Sequence, residues 1–181
     1  MKFIIRLFSA LIITFSYIEL AYSKTTKIII FGDSLIAGYG LVVEDNFVNQ
    51  LKLKTIENKI NDVTLFNSGV SGETSTGLLN RYKWVLEDNY DGVIILIGAN
   101  DALRGIDPSL TSQNIEKILS YLKEKQIPTM LIGMKAPNNL GEIYVNEFNA
   151  IYPKLSKKYD TAYYPFFLKD VALKPSLNQI D

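Results

Sequence analysis

Apolar residues follow two rhythms along this chain. Short unbroken runs such as Ile28-Ile29-Ile30-Phe31 alternate with longer stretches in which apolar side chains recur every three or four positions. A β-branched and aromatic run suits a strand buried on both faces of a parallel sheet, and the three-to-four spacing suits a helix with one apolar face. In order, the pattern predicts a strand over 28–31, a helix over 46–57 carrying Phe47, Leu51 and Leu53, and a strand over 63–66. A helix follows with Leu78, Leu79, Tyr82 and Val85 on one side, then a strand over 92–98. In the second half, Asp107-Pro108 starts a helix with Ile115, Ile118, Leu119 and Leu122 on its apolar face. A strand over 129–133, a loop over 136–141, a helix over 143–159 with Phe148, Ile151 and Leu155, and a weaker strand over 161–164 complete the pattern. Strands alternating with helices in this way imply an α/β fold: a five-stranded parallel sheet between two helix layers in a flavodoxin-like, three-layer arrangement.

The first 23 residues read differently. Lys2 and Arg6 form a basic start, residues 7–18 are almost entirely apolar, and Ala21 and Ser23 place small residues where a signal peptidase reads. Residues 1–23 are therefore expected to be a cleaved signal peptide and residues 24–181 a single domain, exported to an envelope or external compartment, the periplasm in a Gram-negative bacterium. The apolar run is shorter than the roughly 20 residues that span a bilayer, and Glu19 interrupts it, so no stable membrane anchor is expected after cleavage.

Charge and composition remove several function classes. The 181 residues carry 19 basic and 19 acidic side chains, so no basic excess points to nucleic acid, and a small or neutral molecule is the expected partner of a monomer. The chain has no cysteine, which excludes disulfides, thiolate metal sites and lipoprotein anchoring. It has no histidine either, the commonest general base near neutral pH. The stretch from Gly32 to Tyr39 does not complete a Gly-x-Gly-x-x-Gly fingerprint and no P-loop lysine pattern occurs, so no cofactor is expected. No metal cluster is visible; Asp101 and Asp107 read as helix caps rather than ligands.

The candidate chemistry sits where strands end. The first strand stops at Gly32 and presents Asp33 and Ser34, at the edge where open α/β sheets bind ligands. Ser34 is a candidate nucleophile, although an Asp-Ser pair equally suits a helix N-cap. The second strand leads to Gly72, a turn residue or a backbone donor, and the third to Gly98-Ala99-Asn100-Asp101, a cap or a second donor. Parallel strands carry all three loops to one edge. A hydroxyl attacking a carbonyl needs N–H groups aimed at the oxyanion that forms, and the N–H of Ser34, the N–H of Gly72 and the Asn100 amide are candidates. Ser71 lacks the following glycine of a nucleophile elbow, because Glu73 stands there.

With Gly32-Asp33-Ser34-Leu35, Gly72 within Ser71-Gly72-Glu73-Thr74-Ser75, and Gly98-Ala99-Asn100-Asp101, the chain resembles the SGNH or GDSL hydrolases. Further segments, including Leu103-Arg104-Gly105, Asn149-Ala150-Ile151-Tyr152-Pro153 and Tyr164-Pro165-Phe166-Phe167, resemble its branch of secreted acyl-CoA thioesterases, lysophospholipases and arylesterases. The resemblance implies the SGNH hydrolase fold, Ser34 as nucleophile, and Ser34, Gly72 and Asn100 as the oxyanion hole. It implies Asp181 as the triad acid, with histidine expected at the third position beyond it. The chain thus reads as breaking off inside that motif, short of the last helix, and near-background activity is expected of it. Pro137, Leu140 and Gly141 resemble a loop lining an acyl pocket, which implies a small-molecule acyl ester or thioester as substrate. Two rivals remain: a non-catalytic module binding an acyl or phosphate ligand, and a fragment that cannot fold stably.

Overall fold

A computed structural model of the protein describes residues 24–172 and 174–177. The segment 1–23 and Asp181, expected above to be a signal peptide and a triad acid, lie outside the described residues. In chain order the elements are β1 (Thr26–Gly32), α1 (Ser34–Ala37), α2 (Phe47–Glu57), β2 (Val63–Gly69), α3 (Ser75–Val85), β3 (Gly92–Leu96), α4 (Ala99–Leu103), α5 (Pro108–Glu124), β4 (Thr129–Ile132), α6 (Glu142–Tyr159) and β5 (Ala162–Tyr164). All five strands form one parallel sheet in the order β2-β1-β3-β4-β5. The five-stranded parallel sheet is the one expected from the pattern, and its order is that of a doubly wound, flavodoxin-like fold.

The uninterrupted apolar runs occupy the centre. Ile29, Ile30 and Phe31 in β1, Ile95 and Leu96 in β3, and Leu131 in β4 are buried, because each of these strands has neighbours on both sides and helices above and below. Right-handed crossovers place α3, α5 and α6 on one face, where they pack side by side. The β1–β2 crossover places α2 on the other, where Phe47 meets Phe167 edge to face at 5.0 Å. The apolar stripe foreseen on α5 is the buried one, and Thr111 and Asn114 lie in it as well. Asp107 caps α5 by accepting from the Ser109 N–H at 2.7 Å, with Pro108 at the first helical position.

The order reverses beside β1: the chain runs from β1 outward to β2 and then crosses back over β1 to β3 on its other side. In the register, Gly32 of β1 stands opposite Gly69 of β2 and Leu96 of β3. The loops after these three strands therefore leave the sheet side by side, at the switch point where open sheets bind ligands.

β3 ends two residues earlier than its apolar run suggested, because Gly98 turns the chain. Gly98 has φ +112°, and a Cβ there would stand 2.3 Å from the Tyr152 hydroxyl. That hydroxyl donates to the Ile97 carbonyl at 2.8 Å, and burial raises the Tyr152 pKa well above its ordinary value, so the donor keeps its proton. Gly98→Ala is expected to cost about 2 to 4 kcal/mol through backbone strain and overpacking. Urea unfolding measures it, and an unchanged midpoint would show that Tyr152 gives way freely.

Candidate active site

The Asp33-Ser34 pair divides its two readings between its two residues. Asp33 is the cap: its Oδ1 accepts from the Leu35 N–H at 3.0 Å, closing the first turn of α1. Ser34 is the first residue of that short helix and half-buried. Among the described residues, nothing bonds to its hydroxyl or its backbone N–H. A hydroxyl and an adjacent N–H at the end of the central strand thus have no partner among the described residues.

Asp33 itself is buried, and its Oδ2 has no hydrogen-bond partner among the described residues. Desolvation raises its pKa, against the lowering effect of the Leu35 N–H, and the charges of Glu73 and Asp101 raise it further. A folded pKa above the unfolded one means that the native state holds the proton more tightly. The contribution favours folding below the unfolded pKa and is lost as pH rises through the folded pKa. Asp33→Asn cannot titrate, so its stability relative to the parent should improve between about pH 4 and about pH 7. Urea unfolding at both pH values checks this, and a pH-independent difference would contradict it.

The second loop is held from several directions. Val70 N–H continues the sheet by donating to Gly32 O at 2.9 Å, and Glu73 N–H closes a turn onto Val70 O at 3.0 Å. Gly72 is the third residue of that turn with φ +78°, a region glycine enters without strain. Its carbonyl accepts from Arg104 Nη2 at 2.9 Å, while its N–H has no acceptor among the described residues. Glu73 is buried, and its carboxylate is gripped by Arg81 through Nε–Oε1 and Nη2–Oε2, each 2.6 Å.

The third loop joins the second through Asn100. Its Nδ2 donates to Glu73 O at 3.1 Å, which orients the amide and leaves the second N–H of that nitrogen. Asp101 is not the cap that its place suggested. Gly98 precedes α4 without a side-chain cap, and Asp101 turns fully inward. Its Oδ2 accepts from the Ser75 N–H at 2.8 Å, and its Oδ1 accepts from the Ser75 and Thr111 hydroxyls. Asn114 Nδ2 completes the group by donating to Ser75 Oγ at 3.0 Å and Thr76 Oγ1 at 2.9 Å. Removing any polar member would strand its buried partners, so the network anchors α4, and with it Asn100, to the start of α3 and to α5. Sequence reasoning passed over Thr111 and Asn114, whose signal is a polar side chain at the spacing of α5's apolar face.

Leu140 and Gly141 line a shallow cavity of about 410 Å³ with Glu142, Ile143, Tyr144 and Glu147, whereas Pro137 stands before it, ahead of the turn Asn138–Leu140. The Tyr144 hydroxyl donates to Ile106 O at 2.7 Å and so ties this segment to the chain after Asn100. A larger concavity of about 630 Å³ lies at the opposite edge of the sheet, around Lys27, Lys83 and Lys125, remote from all three loops.

A serine hydroxyl and unpaired N–H donors on neighbouring loops at the switch point have the layout of a serine hydrolase. Residues 30–180 match the GDSL-like Lipase/Acylhydrolase family, and the chain belongs to it. The chain is 34% identical over 172 residues to an arylesterase of Vibrio mimicus, covering 94% of this chain and 84% of that one. It is 36% identical over 155 residues to thioesterase 1/protease 1/lysophospholipase L1 of Escherichia coli K12, covering 85% and 73%. Among solved structures, the SGNH-hydrolase family esterase AlinE4 superposes with a TM-score of 0.84 at 42% identity, over 87% of this chain and 85% of that one. The psychrotrophic esterase EstA from Pseudoalteromonas, in a structure inhibited by monoethylphosphonate, superposes with 0.81 at 33%, over 86% and 85%.

Proposed function

We propose that this protein hydrolyses acyl esters or thioesters through an acyl-enzyme on Ser34. The observation that carries the reading is the convergence at one sheet edge of the Ser34 hydroxyl and the N–H groups of Ser34 and Gly72, all without partners among the described residues, and an oriented Asn100 amide. Ser34 Oγ attacks the acyl carbonyl, its proton passes to a base, and the carbonyl oxygen becomes an oxyanion facing the three donors. The leaving alcohol or thiol departs with a proton, and water then releases the acid by the same route. Stabilisation of that oxyanion is worth more in a site with little water than in bulk solvent.

Among the described residues, no side chain is hydrogen-bonded to the Ser34 hydroxyl as a base would be. The 181 residues contain no histidine, and the family motif that Asp181 matches would set one three positions further on. By this reading Asp181 orients the imidazole of a histidine at that position, which takes the Ser34 proton. The cavity beside Leu140 and Gly141 would take the acyl chain, in keeping with relatives named arylesterase and lysophospholipase. Residues 1–23 would direct export, and the amino terminus of the protein recovered outside the cytoplasm tests that.

A second reading is a non-catalytic module that binds an acyl or phosphate ligand with the same loops. A fluorophosphonate probe separates the two. Labelling of Ser34, mapped by mass spectrometry and accelerated when histidine is supplied beyond Asp181, supports the enzyme. No labelling in either chain, with a sharp melting shift on adding a fatty acid, supports the binder.

A further inference from the structure

We infer that Arg81 is a positioning residue for the oxyanion hole, acting through Glu73. The inference rests on the reading of the Ser34 site above and concerns how two of its three donors are held. Arg81 projects from α3, outside all three loops, and yet its guanidinium reaches both sides of the second one, at Ser68 and at Glu73. Nε and Nη2 hold the two carboxylate oxygens of Glu73 at 2.6 Å each. Nη1 donates to Ser68 Oγ at 2.7 Å and Nη2 to Ser68 O at 2.6 Å, at the end of β2. The guanidinium carbon stands 5.3 Å from the centre of the Phe31 ring in β1.

Glu73 follows Gly72 directly, and both its main chain and its side chain are hydrogen-bonded. Its N–H closes the turn that points the Gly72 N–H, and its carbonyl receives the Asn100 amide at 3.1 Å. A planar fork on a carboxylate restrains rotation as well as distance, which a single ammonium contact does not. With its side chain clamped at both oxygens, Glu73 has one position, and so have the donor before it and the amide that rests on it. Net stabilisation is a weaker explanation, because a buried ion pair often adds little over apolar residues of the same volume. The Glu73 and Arg81 side chains are 5% and 21% exposed, so the pair is largely withdrawn from water.

The test uses the 181-residue chain and three variants, Arg81→Gln, Arg81→Met and the double variant Arg81→Met/Glu73→Gln. In ¹H–¹⁵N spectra, the Gly72 amide and the Asn100 side-chain amide are expected to move and broaden in all three, while amides of α5 and β4 stay in place. The double variant removes the stranded carboxylate and should recover most of the melting temperature lost by Arg81→Met without restoring the two signals. A purely structural pair would behave otherwise: the signals would return with stability, or never move, and either result overturns the inference. In the chain supplied with histidine, Arg81→Gln should lower kcat on p-nitrophenyl butyrate about 10-fold to 100-fold with KM within about twofold. If that parent chain proves inactive, the hydrolase reading fails, while the spectra still decide whether Arg81 positions the loop.

Discussion

Supplying a histidine at the third position beyond Asp181, on a C-terminal extension, is expected to raise kcat for p-nitrophenyl butyrate by about 10⁴ to 10⁶ over the 181-residue chain. The magnitude follows from how a serine triad works. Without a base, the Ser34 hydroxyl must lose its proton to water, and the oxyanion donors and substrate binding alone leave about 10³ to 10⁴ over the uncatalysed reaction. Triad members act as a unit, so Ser34→Ala should change little in the chain that has no histidine and should abolish the whole gain in the extended one. Initial rates for these four chains check the expectation. Equal rates with and without the histidine, both lost on Ser34→Ala, would show that another group in the chain takes the proton.

Asn100→Ala in the same extended chain is expected to lower kcat by about 10² to 10³ and to leave KM nearly unchanged. The amide would meet the substrate oxygen as it gains charge, so its loss falls on the transition state rather than on ground-state binding. Asn100 is half-buried and gives up one hydrogen bond, to Glu73 O, so the variant should remain folded. A fall in kcat/KM carried by KM alone would move Asn100 from the oxyanion to substrate binding. Together with the Arg81 variants, this series asks whether the donors matter and whether something outside the loops holds them.

Strand existence was legible because a run such as Ile28-Ile29-Ile30-Phe31 is too apolar and too β-branched for any place but the middle of a sheet, and β1 is buried there. Helices were legible from one apolar face, as in α5 with Ile115, Ile118, Leu119 and Leu122. Local spacing could not divide the Asp33-Ser34 pair between cap and nucleophile, since either residue can accept from a nearby N–H. Nor could it say that Asp101 faces inward, since the hydroxyls that hold it come from Ser75 and Thr111 on separate helices.

By itself, then, the chain's sequence determined what is periodic and local: five strands, the four long helices, the capped start of α5, and three loops whose Ser34, Gly72 and Asn100 are of the right chemical kinds. Only the tertiary structure decided which of those groups are free. Asp33 took the cap, the Ser34 hydroxyl and the Gly72 N–H were left without partners among the described residues, and Arg81 came from α3 to clamp Glu73. The physical reason is that whether a polar group is bonded depends on partners far away in sequence, brought within reach by the register of β1 between β2 and β3.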